Sequence, residues 1–264
     1  MRTHYSCPIC VSPDGAGGGT QWGSRTSETA YAEVRLTAEP VALAECDQGH
    51  RLLVCVNDGS YALLFERALQ RLAIGSTTDA VIDAHTAFEI YLAHVPARAR
   101  YDRESGASPT VLRRELRPAT SSAQLALGAA LATVSVVSSR PPPRINEEMT
   151  TTLRNRAVHA GHHPTDSEAE HMCAEIDRVI AEFEDLLTSS VEPRDPSYWN
   201  AFISEDIKAT IEAHGWRELP IVGRQLDTVL ARARDGFATK VSARERLAEY
   251  RQNKTADTLS WSVW

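Results

Sequence analysis

Two short groups of residues in this 264-residue chain have the types and spacing for chemistry. The first is Leu153-Arg154-Asn155-Arg156-Ala157-Val158-His159-Ala160-Gly161, which sets a guanidinium, an amide and an imidazole on the last turns of one amphipathic segment. An arginine stays cationic and meets a phosphate with two parallel donors. An imidazole titrates close to neutrality and can take or give a proton. Asn155 can orient a phosphate or hold His159, and Arg156 can add another contact to a phosphodiester backbone. A bare Arg-x4-His pair says little, because with nine His in 264 positions chance alone supplies about one. The context carries the specificity: Asn directly after Arg, a Gly stop two residues after His, and helical segments on both sides.

The second group is a pair of candidate metal knuckles. Cys7-Pro8-Ile9-Cys10 is followed by a Gly-rich loop, Gly15 to Gly19, and then by Cys46-Asp47-Gln48-Gly49-His50. A tight turn that exposes backbone N–H groups to two thiolates is what a Cys-x2-Cys knuckle supplies, and Gly49 permits a positive φ in the second turn. Val41–Glu45 and Arg51–Val56 read as two short strands around that turn. Residues 1–57 therefore look like a zinc-ribbon module with a structural zinc at Cys7, Cys10, Cys46 and His50, with Cys55 a conceivable substitute ligand. Four side-chain ligands leave no open position for catalysis. His162 and His163 lack a carboxylate cluster and read as solvated.

Composition narrows the classes further. A net charge of −7 argues against non-specific coating of nucleic acid, so any such contact needs a local patch. Arg98, Arg100, Arg103, Arg113, Arg114 and Arg117 are its candidates, diluted by Asp102, Glu104 and Glu115. Five Cys and no charged-then-apolar leader point to a reducing compartment, read as the cytoplasm. The longest apolar run, Ala123 to Val137, falls short of the roughly 20 residues of a membrane span and reads as a buried helix or part of one. There is no phosphate-cradling Gly loop and no Gly-x-Ser-x-Gly elbow.

From Ser60 the apolar period becomes helical. Tyr61, Leu64, Phe65, Ala68 and Leu72 share a face that stops at Gly75. Ser76-x-x-Asp79 resembles a capping box for a second helix, whose stripe of Val81, Ala84, His85, Phe88, Tyr91, Leu92 and Val95 should end before Pro96. A helix near 121–138 is stopped by Pro141-Pro142-Pro143. The segment holding Arg154 and His159 runs from an Asn146 cap to Gly161, and Thr165-x-x-Glu168 caps the next helix, with Ala169, Met172, Cys173, Ile176, Val179, Ile180, Phe183 and Leu187 on its apolar face. Beyond Pro193 and Pro196, helices are expected at 199–213, 221–235 and 241–252. Trp199 and Trp216 are candidate core anchors, Trp261 and Trp264 are candidate core or interface anchors, and 259–264 alternates like a strand.

Arg154-Asn155-x3-His159 within four antiparallel helices resembles the HEPN (higher eukaryotes and prokaryotes nucleotide-binding) superfamily, whose ribonucleases carry Arg-Asn-x3-His in a small helical bundle. The resemblance covers residues 60–190. It implies a HEPN-like four-helix bundle at 58–195 with 97–145 as an insertion; with the zinc-ribbon-like module read at 1–57 and a helical C-terminal extension at 196–264, the expected fold is mainly α. It further implies metal-independent RNA cleavage through 2′-hydroxyl attack, with Arg154, Asn155 and His159 catalytic, and Glu89 (in the family's Glu-beside-aromatic position, Phe88-Glu89) and Arg156 contacting substrate. Residues five apart lie about 140° apart around a helix, so one helix does not obviously complete the site. A homodimer that pools two Arg and two His in one cleft would. Toxin or antiphage-defence biology follows from the family, with an antitoxin or defence partner. The Tyr that several such toxins carry two residues after the His is Gly161 here. The competing expectation is a non-catalytic zinc-ribbon and helical adaptor that binds nucleic acid, nucleotide or a protein.

Overall fold

The computed structural model describes residues 2–6, 31–35, 41–46, 48–56, 59–104, 106–190, 196–224 and 241–253. The described chain is mainly α. It divides into two compact units, one of residues 1–57 with 203–226 and one of 58–202 with 227–264. The segment 196–264, expected as a single extension, is thus shared between them.

In the first unit, β1 (Arg2–Ser6) and β2 (Tyr31–Arg35) form an antiparallel pair. Strands β3 (Val41–Glu45) and β4 (Arg51–Val56) fall where their apolar runs place them and pair antiparallel around the 46–50 turn. Leu52, Leu53 and Val54 are fully buried, as a central strand requires. The other neighbour of β4 is β5 (Ile221–Arg224), parallel to it, with Leu53 N–H donating to Pro220 O at 2.9 Å. This corrects the helix expected from 221. Ile221 and Val222 follow a proline and find ladder partners in Leu53 and Val54, a tertiary pairing that local pattern does not reveal. Residues 225–240 and the alternating 259–264 lie outside the described residues. Val41, Leu53, Cys55 and Ile211 make a small core flanked by Ile207, Trp216 and Leu219.

The second unit contains α1 (Ser60–Ala73), α2 (Thr77–Tyr101), α3 (Pro109–Leu116), α4 (Ala123–Val137), α5 (Leu153–His159), α6 (Asp166–Ser190), the first residues of α7 (Tyr198–His214), and α8 (Ala243–Asn253). Helix α2 is the shared support, packing against α1, α3, α4, α5 and α6. It continues past Pro96 to Tyr101, correcting the stop expected there. Proline forfeits one backbone hydrogen bond, but the last turns are held by other means. Val95, Ala97 and Ala99 are buried, Arg98 pairs with Glu184, and Tyr101 Oη donates to Pro196 O at 3.0 Å. Ser76 does not cap the backbone of α2, since its hydroxyl donates to Asp79 at 2.9 Å instead. The Thr165–Glu168 capping box is made in both directions, at 2.8 and 3.2 Å.

Two further expectations are corrected. Helix α4 is buried only along Ala126, Ala130 and Val134; Leu125 and Val136 are 50% and 79% exposed, because an all-apolar helix has more apolar faces than its neighbours cover. Half of the arginine patch is engaged internally, while Arg103, Arg114 and Arg117 stay exposed. Arg98 is buried against Glu184, Arg100 is taken by Glu104 and Glu115, and Arg113 donates to Ala93 O and Thr120. Trp199 is a core residue at 3% exposure, its ring centroid 4.7 Å from that of Tyr61. No single described helix is long and apolar enough to cross a membrane.

Candidate functional site

The Arg154 segment starts irregularly. Asn146 caps it, with its side chain accepting from Met149 N–H at 3.3 Å, and a π-turn, Glu148–Thr152, precedes α5. Such wide turns shift the side chains that follow and recur at functional positions. Gly161, at φ +65°, ends the helix and lets His162 N–H reach back to Arg156 O at 3.1 Å.

Arg154 Nη1 lies 3.1 Å from Asn155 Oδ1 and 3.4 Å from His159 Nε2. One helix therefore does bring the guanidinium and the imidazole together, correcting the argument from helical angle. The long arginine side chain spans the angular gap. Asn155 and His159 are exposed and Arg154 is half-buried.

Arg156 belongs to a different cluster. Its guanidinium meets Glu148 at 3.4 Å, Glu168 at 3.2 Å and His162 at 2.8 Å. The ion pairs that could have reduced the motif to a helix-end ornament are made by Arg156, while Arg154 makes none with a carboxylate among the described residues. His162 is engaged by Glu168 at 3.3 Å.

Across from α5, helix α2 presents Glu89 and, one turn earlier, His85. His85 is 4% exposed, and its Nδ1 lies 3.3 Å from Glu89 Oε1 yet out of line for a hydrogen bond, which leaves a buried nitrogen unmatched. Burial, reinforced by the Arg154 charge, pushes the His85 pKa down to about 4, so the ring is neutral at pH 7. Burial raises the Glu89 carboxyl, with Arg154 pulling the other way. Arg154 is thus close enough to act on both groups electrostatically, without a direct ion pair to either. Sequence reading placed His85 in the apolar stripe and missed it as a site residue. Its signal was the i, i+4 spacing to Glu89 on one face of the helix.

Of the metal residues, Cys46 Sγ and His50 Nδ1 lie 3.7 Å apart, across a turn in which Gly49 at φ +77° donates to Cys46 O at 2.7 Å. Cys7 and Cys10 lie outside the described residues. Only Cys46 and His50 of the expected ligand set fall among the described residues, which hold no group of three or more His, Cys, Asp or Glu placed for a metal ion. Cys55 does not join it, since it packs with Val41, Leu53 and Ile211 and its thiol is raised by burial, which disfavours the thiolate a metal needs. A cavity of about 630 Å³ is lined by Asn146, Met149, Glu168, His171, Arg178 and Arg244, but it contains neither Arg154 nor His159. Its Arg178 is occupied by Glu175 and Glu182.

Comparison with protein families, with curated proteins and with solved structures finds no match.

Proposed function

We propose that the α5 site is the centre of a metal-independent endoribonuclease of HEPN type, with α1, α2, α5 and α6 as its four-helix bundle. The observation that supports this best is Arg154: a half-buried guanidinium that contacts Asn155 and His159 and makes no carboxylate pair among the described residues. In this reading the ribose 2′-oxygen attacks phosphorus, the P–O5′ bond breaks, one group takes the 2′ proton and another protonates the departing 5′-oxygen. Arg154 faces the charge that builds on the phosphorane, and His159 transfers protons. One imidazole cannot be acid and base in the same step. Two chains paired across a two-fold axis would supply both, and an active but strictly monomeric enzyme would contradict that pairing. The biology this suggests is a toxin or antiphage effector, restrained by a defence-system partner. Purified protein with RNA in EDTA should leave 2′,3′-cyclic phosphate ends, and His159→Ala should be inert.

A structural zinc at Cys7, Cys10, Cys46 and His50 belongs to the same proposal, supported by the Cys46–His50 approach. About one zinc per chain is expected, and a fall in thermal stability in Cys46→Ser; less than about half an equivalent would count against it. That turn also favours a second reading, a non-catalytic adaptor whose retention of RNA or a protein survives His159→Ala and fails in Cys46→Ser.

A further inference from the structure

A buried histidine with an unmatched nitrogen is uncommon, because an imidazole taken out of water normally finds a partner for each polar atom. His85 has a partner in reach but not in use: Glu89 Oε1 at 3.3 Å, out of line with Nδ1. The imidazole is buried and the Glu89 side chain is 35% exposed, so the ring sits behind the carboxylate and the carboxylate faces outward. Arg154 acts on both from α5 but binds neither. Charged side chains elsewhere along α2 are held by neighbouring helices. From α1, Arg67 and Arg71 hold Asp83; from α6, Glu184 holds Arg98.

We propose that His85 is a positioning residue: its Nδ1–H, aligned by a small ring rotation, donates to Glu89 and holds that carboxylate as the acceptor for a ribose hydroxyl of the RNA. This rests on the ribonuclease reading of the Arg154 site and gives it a sugar specificity. A carboxylate repels a phosphate and cannot donate to one, so Glu89 has no use for the group that Arg154 binds. A ribose hydroxyl is a donor that DNA lacks. Because Glu89 and Arg154 are close without pairing, the guanidinium stays available for phosphate and the carboxylate for the neighbouring sugar.

The test uses the full chain carrying His159→Ala, so that RNA is bound without being cut, with single-stranded RNA and DNA oligonucleotides of one sequence followed by fluorescence anisotropy. RNA should bind at least about tenfold tighter than DNA. Adding Glu89→Met, which removes the acceptor, or His85→Phe should reduce that preference to about twofold or less with DNA affinity unchanged. Adding His85→Asn, whose amide nitrogen can stand where Nδ1 stood, should restore most of it. Undiminished preference in both Glu89→Met and His85→Phe, or equal losses on RNA and DNA, would overturn the proposal, as would the absence of any RNA preference in the His159→Ala parent. A readout that needs no nucleic acid is ¹⁵N NMR of the wild-type imidazole, where Nδ1–H is expected and an Nε2–H tautomer would contradict the positioning role. Failure of the ribonuclease reading looks different: wild-type protein that prefers RNA and responds to His85→Phe, yet never cuts.

Discussion

The two ends of α2 carry the same kinds of side chain and treat them in opposite ways. Toward its C-terminus, Arg98 is buried and fully matched: Glu184 takes its guanidinium, Tyr91 donates to the other oxygen of Glu184 at 2.9 Å, and Asp102 stands 3.8 Å away. Burial opposes the Arg98 charge, but these neighbours overcome it and raise its pKa. More than three turns earlier in the helix, His85 has an unmatched nitrogen, Glu89 is half-exposed and raised, and the Arg154 they face pairs with no carboxylate among the described residues. Matched charges inside a protein hold it together, whereas unmatched ones are kept at a cost in stability that ligand binding can offset. The same chain thus separates a structural ionic cluster from a candidate working one along a single helix.

The largest effect should come from breaking the matched end. Glu184→Ala strands the buried Arg98 and is expected to cost about 3–5 kcal/mol by chemical denaturation, while Arg98→Met combined with Glu184→Leu should cost much less. If Glu184→Ala were nearly neutral, the two ends would not differ as described.

The unmatched end should show itself in pH dependence. The His85 pKa, about 4 when folded, lies below its ordinary 6.5. As pH falls below 6.5 the unfolded chain takes a proton that the folded chain refuses, so this group's contribution to stability is full above that pH and is lost toward pH 4. The raised Glu89 carboxyl works with the opposite sign, so the comparison is between wild type and His85→Phe. The wild type should lose on the order of 3 kcal/mol more than the variant across that window. Parallel curves would remove His85 from the account. The smallest stability effect is expected for Arg154→Ala, within about 0.5 kcal/mol of wild type in the same denaturation experiment.

Sequence pattern reached what local chemistry decides. Strands β3 and β4, the Gly49 turn, the Thr165–Glu168 capping box and the buried face of α6 follow from alternation, a positive φ and i, i+3 spacing. It missed what tertiary contacts decide: β5 instead of a helix, the passage of α2 through Pro96, and the capture of Arg98, Arg100 and Arg113 by partners within 4.0 Å or by a backbone carbonyl. At the site, the linear motif reached the residues of α5 and separated Arg154 from Arg156 by role, but it did not show that Arg156 is held by carboxylates. Two arginines two positions apart face different neighbours, and only the placement of Glu148 and Glu168 shows which one is neutralised. His85 was hidden because a histidine in an apolar stripe reads as core until its partners are known.

The account stands most directly on RNA cleavage in EDTA by wild type, Arg154→Ala and His159→Ala, prepared alike and matched for thermal stability. It predicts products with 2′,3′-cyclic phosphate ends from the wild type and rates at least about a hundredfold lower from both variants. Equal cleavage by all three proteins, or cleavage that EDTA abolishes, would contradict it.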